Sequence, residues 1–139
     1  MATFNKFNQF TEDLAKGVHN LSTGALTIAL CAAANAPVAT NTVLANLTQA
    51  SYTNLSSRLV TTTSCVQTSG VLKLILADLV LTASGSVGPF RYVVLYNDTP
   101  TSPADPLIGW YDYGSDLTLL SGETFTIDFD NVNGALTLT

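Results

Sequence analysis

Charge is what this sequence most clearly lacks. Lys, Arg, Asp and Glu make up 11% of its 139 residues, whereas an ordinary soluble domain has about 25%. Hydrophobic residues reach 47%, which excludes a disordered chain. The polar surface must therefore consist largely of Thr, Ser and Asn, and a surface with so little charge resists association poorly. We expect a protein that functions in a complex, either with copies of itself, as a homodimer or another oligomer, or with a partner.

Basic residues are scarcer still. Five Lys and Arg face ten Asp and Glu, for a net charge of −5, and the basic residues are scattered along the chain. Because a phosphate-binding surface needs clusters of Lys and Arg, we expect no direct contact with nucleic acid. No apolar run approaches the roughly 20 residues of a membrane span, and the first residues lack the basic and apolar regions of a signal peptide. We therefore expect no membrane association.

Cysteine and histidine are also rare. The two cysteines, Cys31 and Cys65, each lie in an apolar, strand-like run, which favours buried free thiols over a disulfide framework. The single histidine, His19, follows the end of a predicted helix. A catalytic triad would have to use this histidine, but no Ser or Cys lies in a nucleophile motif. The sequence therefore predicts no nucleophilic enzyme.

Two pairs of carboxylates are candidates for acid–base catalysis or for metal binding. Asp112 and Asp116 flank a glycine, and Asp128 and Asp130 share one strand face. Paired carboxylates serve as acid and base in glycoside hydrolysis, but such pairs are more typical of turns and solvated strand faces. The run DFDNVNG resembles a calcium loop, yet Val132 occupies the third ligand position and no Glu follows at the required distance. We expect no enzyme, no cofactor and no metal.

Aromatic residues are concentrated in residues 86–114, which hold the only Trp and four of the five Tyr. Two strand-like runs flank a loop, Asn97 to Pro106, with three prolines and two aspartates, a composition typical of a hairpin connection. The runs are apolar on both faces, which indicates a central strand pair or an interface. Since side chains alternate between faces, the following four are expected on one face: Phe90, Tyr92, Val94 and Tyr96.

Short strand-like runs also occupy most of the remaining chain. They include residues 26–30, a run at 71–84 with a break near Asp78, and residues 124–130. In the last run, alternation predicts that Phe125, Ile127 and Phe129 point inward. Turn residues separate them, and Asn133-Gly134 is a strong hairpin signal. About eight strands at such short spacing predict a single all-β domain over residues 1–139, a jelly-roll or β-sandwich with a short N-terminal helix.

The predicted helix, about residues 4–17, is amphipathic. Phe7, Phe10 and Leu14 form an apolar stripe at helical spacing. Asn5 or Thr11 is a candidate cap, and Gly17 is a candidate stop. Two interpretations remain open at this point. The segment either closes one end of its own domain or acts as an arm that grips a neighbouring molecule.

Several blocks of the sequence match a known pattern. They are GPFRYVVLYNDT (88–99), PLIGWYDYGSDLTLLSGETFTIDF (106–129), FNKFNQFTEDLAKGVHNL (4–21) and TNTVLANLTQ (40–49). Together they resemble the capsid cement, or decoration, proteins of tailed double-stranded DNA bacteriophages. The most specific motifs are PFRYVVLYND and LIGWYDYG. The Thr- and Ser-rich residues 53–82 match the pattern weakly.

The resemblance implies a structural virion protein that is made in the bacterial host cytoplasm and binds the outside of an HK97-like capsid. The expected partner is the major capsid protein, and the resemblance implies no catalytic residue.

A phage tail or host-adhesion component is the first alternative. A carbohydrate-binding module is the second, because exposed Trp110, Tyr111 and Tyr113 would stack on sugars. The residues expected at an interface are Phe4, Phe7, Phe10 and Leu14 in the arm, and Asp98, Pro100, Pro103 and Asp105 in the loop.

Overall fold

The computed structural model describes residues 2–139. Within this range the chain forms nine β-strands, one α-helix and two single 3-10 turns, Ala33–Asn35 and Leu44–Asn46. In chain order the elements are β1 (Asn5–Lys6), α1 (Asn8–Ala15), β2 (Leu26–Cys31), β3 (Thr62–Thr68), β4 (Val71–Leu76), β5 (Leu79–Thr82), β6 (Val87–Asn97), β7 (Leu107–Leu119), β8 (Thr124–Ile127) and β9 (Leu136–Leu138). The prediction of an all-β fold with a short N-terminal helix is confirmed.

The largest sheet has four strands in the order β1-β7-β6-β2. Its centre is the predicted hairpin of β6 and β7, in which Val93 pairs with Tyr111 and Val94 with Trp110. Strand β2 is buried at all six positions and pairs with β6 along its whole length. The sheet is buried on both faces, as the apolar composition of the hairpin predicts.

Two smaller antiparallel sheets complete the fold, one with the order β3-β4-β9 and one formed by β5 and β8. Their inward side chains and one face of the large sheet form the main core, which contains Ile28, Leu74, Leu81 and Phe90. A second, smaller cluster covers the other face of the large sheet and contains Phe7, with Trp110 packed against it. The break predicted near Asp78 lies between β4 and β5.

The prediction that Phe90, Tyr92, Val94 and Tyr96 share one face is wrong for Phe90. This ring packs in the main core, whereas the other three side chains belong to the smaller cluster on the opposite face. The pairing of β6 with β7 shifts register on both sides of Phe90. Strict alternation does not extend across such bulges, because extra residues turn the strand locally.

The helix is shorter than the predicted span of residues 4–17. Phe4 is followed by β1, which pairs with β7, and α1 begins only at Asn8. The residue at the N-cap is Phe7, without a side-chain cap, so neither Asn5 nor Thr11 has the predicted capping role. Gly17 has φ of +76° just after the end of the helix, which confirms the predicted stop.

Within residues 2–139, no helix combines the length and the apolar character needed to cross a bilayer.

Candidate interaction site

A bulge in β7 shapes one wall of an open groove on the surface of the domain. The partner of Phe90 in the ladder is Leu117, but the partner of Tyr92 is Asp112. Four residues of β7, Tyr113 to Asp116, therefore lie opposite a single residue of β6, Arg91. Gly114, inside the bulge, has φ of +104°, a conformation that glycine adopts without steric cost.

An ion pair holds the base of this bulge. Arg91 Nε and Nη2 donate to Asp112 Oδ1 and Oδ2 at 2.7 and 2.9 Å, the two-pronged geometry that suits a guanidinium and a carboxylate. Asp112 Oδ1 also accepts a hydrogen bond from Gly114 N–H at 2.8 Å. The hydrogen bond between the two side chains lowers the pKa of Asp112, and the same hydrogen bond raises the pKa of Arg91. Both groups are therefore charged at neutral pH.

The bulge forms one wall of a groove of about 620 Å³. Tyr111 and Tyr113 of β7 lie on one side of it, and β8 with Phe125 lies on the other. We call this surface the aromatic groove. Its lining residues are Ala2, Val93, Tyr111, Tyr113, Thr124, Phe125, Thr126, Ile127 and Asp128.

The rings of the aromatic groove are held by contacts with the core and with each other. Tyr113 is 52% exposed, and its ring centroid lies 5.4 Å from that of Phe125. Phe125 in turn makes an edge contact with the buried Phe90 at 5.3 Å. Phe4 lies 5.3 Å from Tyr111, so the segment before β1 supports one end of the groove. Tilted and edge contacts of this kind are favourable arrangements for aromatic rings.

Burial keeps the phenol of Tyr111 neutral. The pKa of Tyr111 is raised to about 12, first by burial and then by the negative charge of Asp130. At physiological pH the hydroxyl is therefore a hydrogen-bond donor as well as an acceptor. Of the residues that line the groove, Asp128 is the single one with a charged side chain.

The outer edge of β8 lies in the groove. Within residues 2–139, β8 pairs with β5 alone, and next to this ladder Ala83 N–H donates to Glu123 C=O at 3.0 Å. Hydrogen-bonded positions recur every second residue in an antiparallel ladder. The backbone groups of Phe125 therefore face β5, and those of Thr124 and Thr126 face away from it, toward the groove.

The structure separates the interface residues predicted in the N-terminal arm. Phe7 and Phe10 are completely buried, and the ring of Phe7 packs 4.6 Å from Trp110. The expectation that these two side chains contact a partner therefore needs correction, because they already contribute to the domain's own core. Phe4 and Leu14 are half-buried and pack against the main core.

The predicted loop lies beside the helix. Asp98 and Pro103 are exposed, whereas Pro100 and Asp105 are half-buried. Pro103 lines a cleft of about 210 Å³ together with side chains of α1, so the structure does bring the arm and the loop to one side of the domain. The pKa of Asp105 is raised, first by burial and then by its hydrogen bond with Asp98.

The three aromatic residues considered for sugar stacking do not form one platform. Trp110 is half-buried against the smaller core cluster, whereas Tyr111 packs with the main core on the other face of the sheet. Tyr113 is the exposed member and shares the aromatic groove with Tyr111. A planar ligand would therefore meet these two tyrosines and not Trp110.

His19 packs in the core, and Asp130 holds a turn. His19 is 6% exposed, packs 5.1 Å from Phe10, and has Nδ1 3.3 Å from the Asn97 amide nitrogen. Burial lowers its pKa. Asp130 accepts hydrogen bonds from the N–H groups of Val132 and Asn133, so the calcium-like run forms a turn. The prediction of a hairpin there is wrong, because the flanking strands β8 and β9 belong to different sheets. Metal-ligating side chains form no group of three or more within residues 2–139.

No protein-family model, curated protein or solved structure matches this chain. Sequence reasoning identified Tyr111 and Tyr113 but did not join them to Phe125, Thr124 and Thr126. The alternation of residues 124–129 predicted the inward position of Phe125 correctly. No local signal, however, shows that β8 pairs with β5 and leaves its other edge open beside β7.

Proposed function

We propose that this chain is a structural virion protein that binds the outside of an HK97-like phage capsid and stabilises the shell as a cement protein. The observation that supports this best is the aromatic groove, an open surface with half-exposed rings and an unpaired strand edge. All of its β7 and β8 residues lie within the block 106–129, which resembles the decoration proteins. Aromatic side chains of this kind are common anchors at protein interfaces.

The proposed mechanism is mass action. A protein that binds the assembled shell, and not its loosened state, stabilises the assembled state by a free energy that grows with the logarithm of its free concentration relative to Kd. A fully buried aromatic side chain contributes about 1.5–3 kcal/mol, so Tyr113 and the exposed part of Phe125 supply a modest contact per copy. Many such contacts across a lattice add to a large effect, particularly where neighbouring copies also touch.

Self-association is part of the proposal. The exposed surface is poor in charge and carries isolated large apolar residues, among them Val66 and Val80. Val66 and Val80 lie on β3 and β5, both outer strands of small sheets. Sedimentation velocity over micromolar concentrations tests this point, and a strictly monomeric species would contradict it.

The direct test of the function is cosedimentation of the purified protein with capsids that have been stripped of minor proteins. The major capsid protein is the expected partner. Saturable binding with a fixed number of copies per capsomer, together with a higher melting temperature of the shell, is the expected result. Failure to bind stripped capsids, with binding to isolated tails instead, would support the alternative of a tail or host-adhesion component.

A carbohydrate-binding module is the second candidate. The observation in its favour is the exposed ring of Tyr113, with the hydroxyl groups of Tyr111, Thr124 and Thr126 nearby in the same groove. Sugar rings stack on exposed aromatic faces, and hydroxyl groups orient them. Titration with a set of oligosaccharides, monitored at the tyrosine signals, distinguishes this function from protein binding.

A further inference from the structure

The outer edge of β8 offers backbone groups in the spacing of a β-ladder. Thr124 and Thr126 direct their N–H and C=O groups away from β5, two residues apart, toward the aromatic groove. An antiparallel ladder of hydrogen bonds has this same two-residue repeat. A second extended backbone satisfies all of these groups together, because its own N–H and C=O groups recur with the same spacing.

The side chains around this edge define what the second backbone should carry. The rings of Tyr113 and Phe125, 5.4 Å apart, form an apolar wall next to the edge. Asp128 provides the charge at the end of the groove, and the protein as a whole carries a net charge of −5. Charge complementarity therefore favours a basic side chain beside Asp128, and the apolar wall favours aliphatic side chains farther along.

We propose that the aromatic groove binds an extended peptide segment of a partner protein by strand addition to the outer edge of β8. The segment alternates aliphatic and polar residues and places a Lys or Arg beside Asp128. This inference deepens the proposed function and rests on it, since it names the kind of segment that a shell protein would present. It applies to the same groove that the proposed function assigns to the shell.

An extended peptide fits the site better than a sugar does. The polar groups of the β8 edge are backbone amides and carbonyls in alternation along a line, which an extended chain matches residue by residue. A sugar ring can stack on the Tyr113 ring, but its hydroxyl groups do not have the two-residue spacing of the N–H groups of Thr124 and Thr126. Hydrogen bonding to both of these amides is therefore the observation that separates the two ligands.

The first test uses the full-length wild-type protein. An array of random heptapeptides is screened, and the best binder is synthesised as the soluble probe. We expect probes with alternating aliphatic residues and one Lys or Arg. Saturation with the probe should slow amide hydrogen exchange at Thr124 and Thr126 by tenfold or more. Exchange at Phe125, whose N–H already faces β5, should change little. Absence of bound peptides, or unchanged exchange at both threonines, overturns the inference.

Two substitutions at one position test the role of the backbone. Thr126→Pro removes the N–H that faces the groove, and proline is tolerated on edge strands at such a position. Thr126→Val keeps this N–H and removes the hydroxyl. We expect probe affinity to fall at least tenfold in the first variant and to stay within about twofold in the second. Equal affinity in the two variants contradicts strand addition, and if Thr126→Pro does not fold, the exchange result on the wild type decides.

Capsid binding and peptide binding distinguish the failure of this inference from the failure of the proposed function. If Thr126→Pro binds stripped capsids as tightly as the wild type does, the shell contact does not use the β8 edge, although the cement function stands. If the wild type binds peptides but no capsids, strand addition stands and the proposed partner is wrong. Protection that appears with oligosaccharides and not with peptides overturns the inference in favour of a sugar ligand.

Discussion

The ring of Tyr113 lies 5.4 Å from the ring of Phe125 although the two residues belong to different sheets. Tyr113 projects from the bulge of β7, which Arg91 and Asp112 hold at its base. Phe125 is anchored from behind by the buried Phe90. The contact bridges β7 and β8 and leaves one face of Tyr113 open, so the aromatic groove has firm walls and an accessible surface.

Replacing Tyr113 separates binding from folding. Because its side chain is half exposed, we expect Tyr113→Ala to lower the free energy of unfolding by no more than about 1 kcal/mol. Its affinity for stripped capsids should fall at least tenfold, since the exposed ring in the wall of the groove is lost. Urea denaturation and cosedimentation measure the two quantities.

Leu59→Ala is the matched control for this prediction. Leu59 is 53% exposed, almost the same as Tyr113, but it does not line the aromatic groove. We expect capsid affinity to stay within twofold of the wild type. An equal loss in both variants would show that general surface hydrophobicity, and not the groove, governs binding.

The N-terminal segment should divide into a dispensable part and a core part. Deletion of residues 2–4 should leave the domain folded, because β1 begins at Asn5, while capsid affinity falls as Phe4 no longer supports Tyr111. Phe7→Ala should lower the free energy of unfolding by about 3–5 kcal/mol, the usual cost of removing a fully buried Phe. Chemical denaturation monitored by the fluorescence of Trp110, which packs on Phe7, provides the measurement.

A stable Phe7→Ala variant that has lost capsid binding would contradict this division. It would restore the interpretation of the helix as an arm that grips a neighbour.

His19 should make stability depend on pH in one direction. Burial lowers its pKa in the folded protein below the ordinary value of 6.5, so the unfolded chain binds the proton more readily. The stabilisation is complete above about pH 6.5 and is lost as the pH falls toward the lower folded-state value. We expect the free energy of unfolding to decrease between pH 7.5 and pH 5.5, by about 1.4 kcal/mol for each unit of pKa difference.

His19→Gln should remove this slope between pH 7.5 and pH 5.5. Asp105 has a raised pKa and acts in the opposite sense, but only at lower pH, where carboxylates titrate. If the variant keeps the same pH dependence as the wild type, another group is responsible.

The two thiols should differ in reactivity. Cys31 and Cys65 are both free, but Cys31 is fully buried and its pKa is raised to about 11 by burial. Cys65 is half-buried, with a smaller rise in pKa from the same cause. Titration with a thiol reagent should detect one thiol in the native protein and two after denaturation without reductant. Cys65→Ser should abolish the native reaction, and a denatured sample without thiols would show that a disulfide had formed.

The regular part of the fold could be predicted because it depends on local pattern. Alternation in residues 26–30 and 124–130 identified two strands, and in the second it also identified the inward position of Phe125. The proline-rich residues 97–106 identified the central hairpin loop. The helix was predicted too long because the apolar spacing from Phe4 onward suits a helix, whereas Phe4 packs beside Gly109 and the chain then pairs with β7. That pairing is a long-range contact, which no local periodicity encodes.

The candidate site was harder to predict from the sequence than the regular part of the fold. The bulge from Tyr113 to Asp116 depends on how β6 and β7 align, and Gly114 is its only local sign. The open edge of β8 depends on its pairing with β5, some 45 residues away along the chain. Both features arise from strand order and register, so the exposure of Tyr113 beside Phe125 became visible only in three dimensions.

We propose that this protein binds a capsid through the aromatic groove, and a cryo-EM reconstruction of the native particle is the strongest test of this proposal. We expect density for this chain on the outer surface of the shell, in a fixed number of copies per capsomer. Tyr113 and Phe125 should face the major capsid protein, with an extended capsid segment along β8. Density for the chain at the tail, or on the shell with the groove open to solvent, would contradict this proposal.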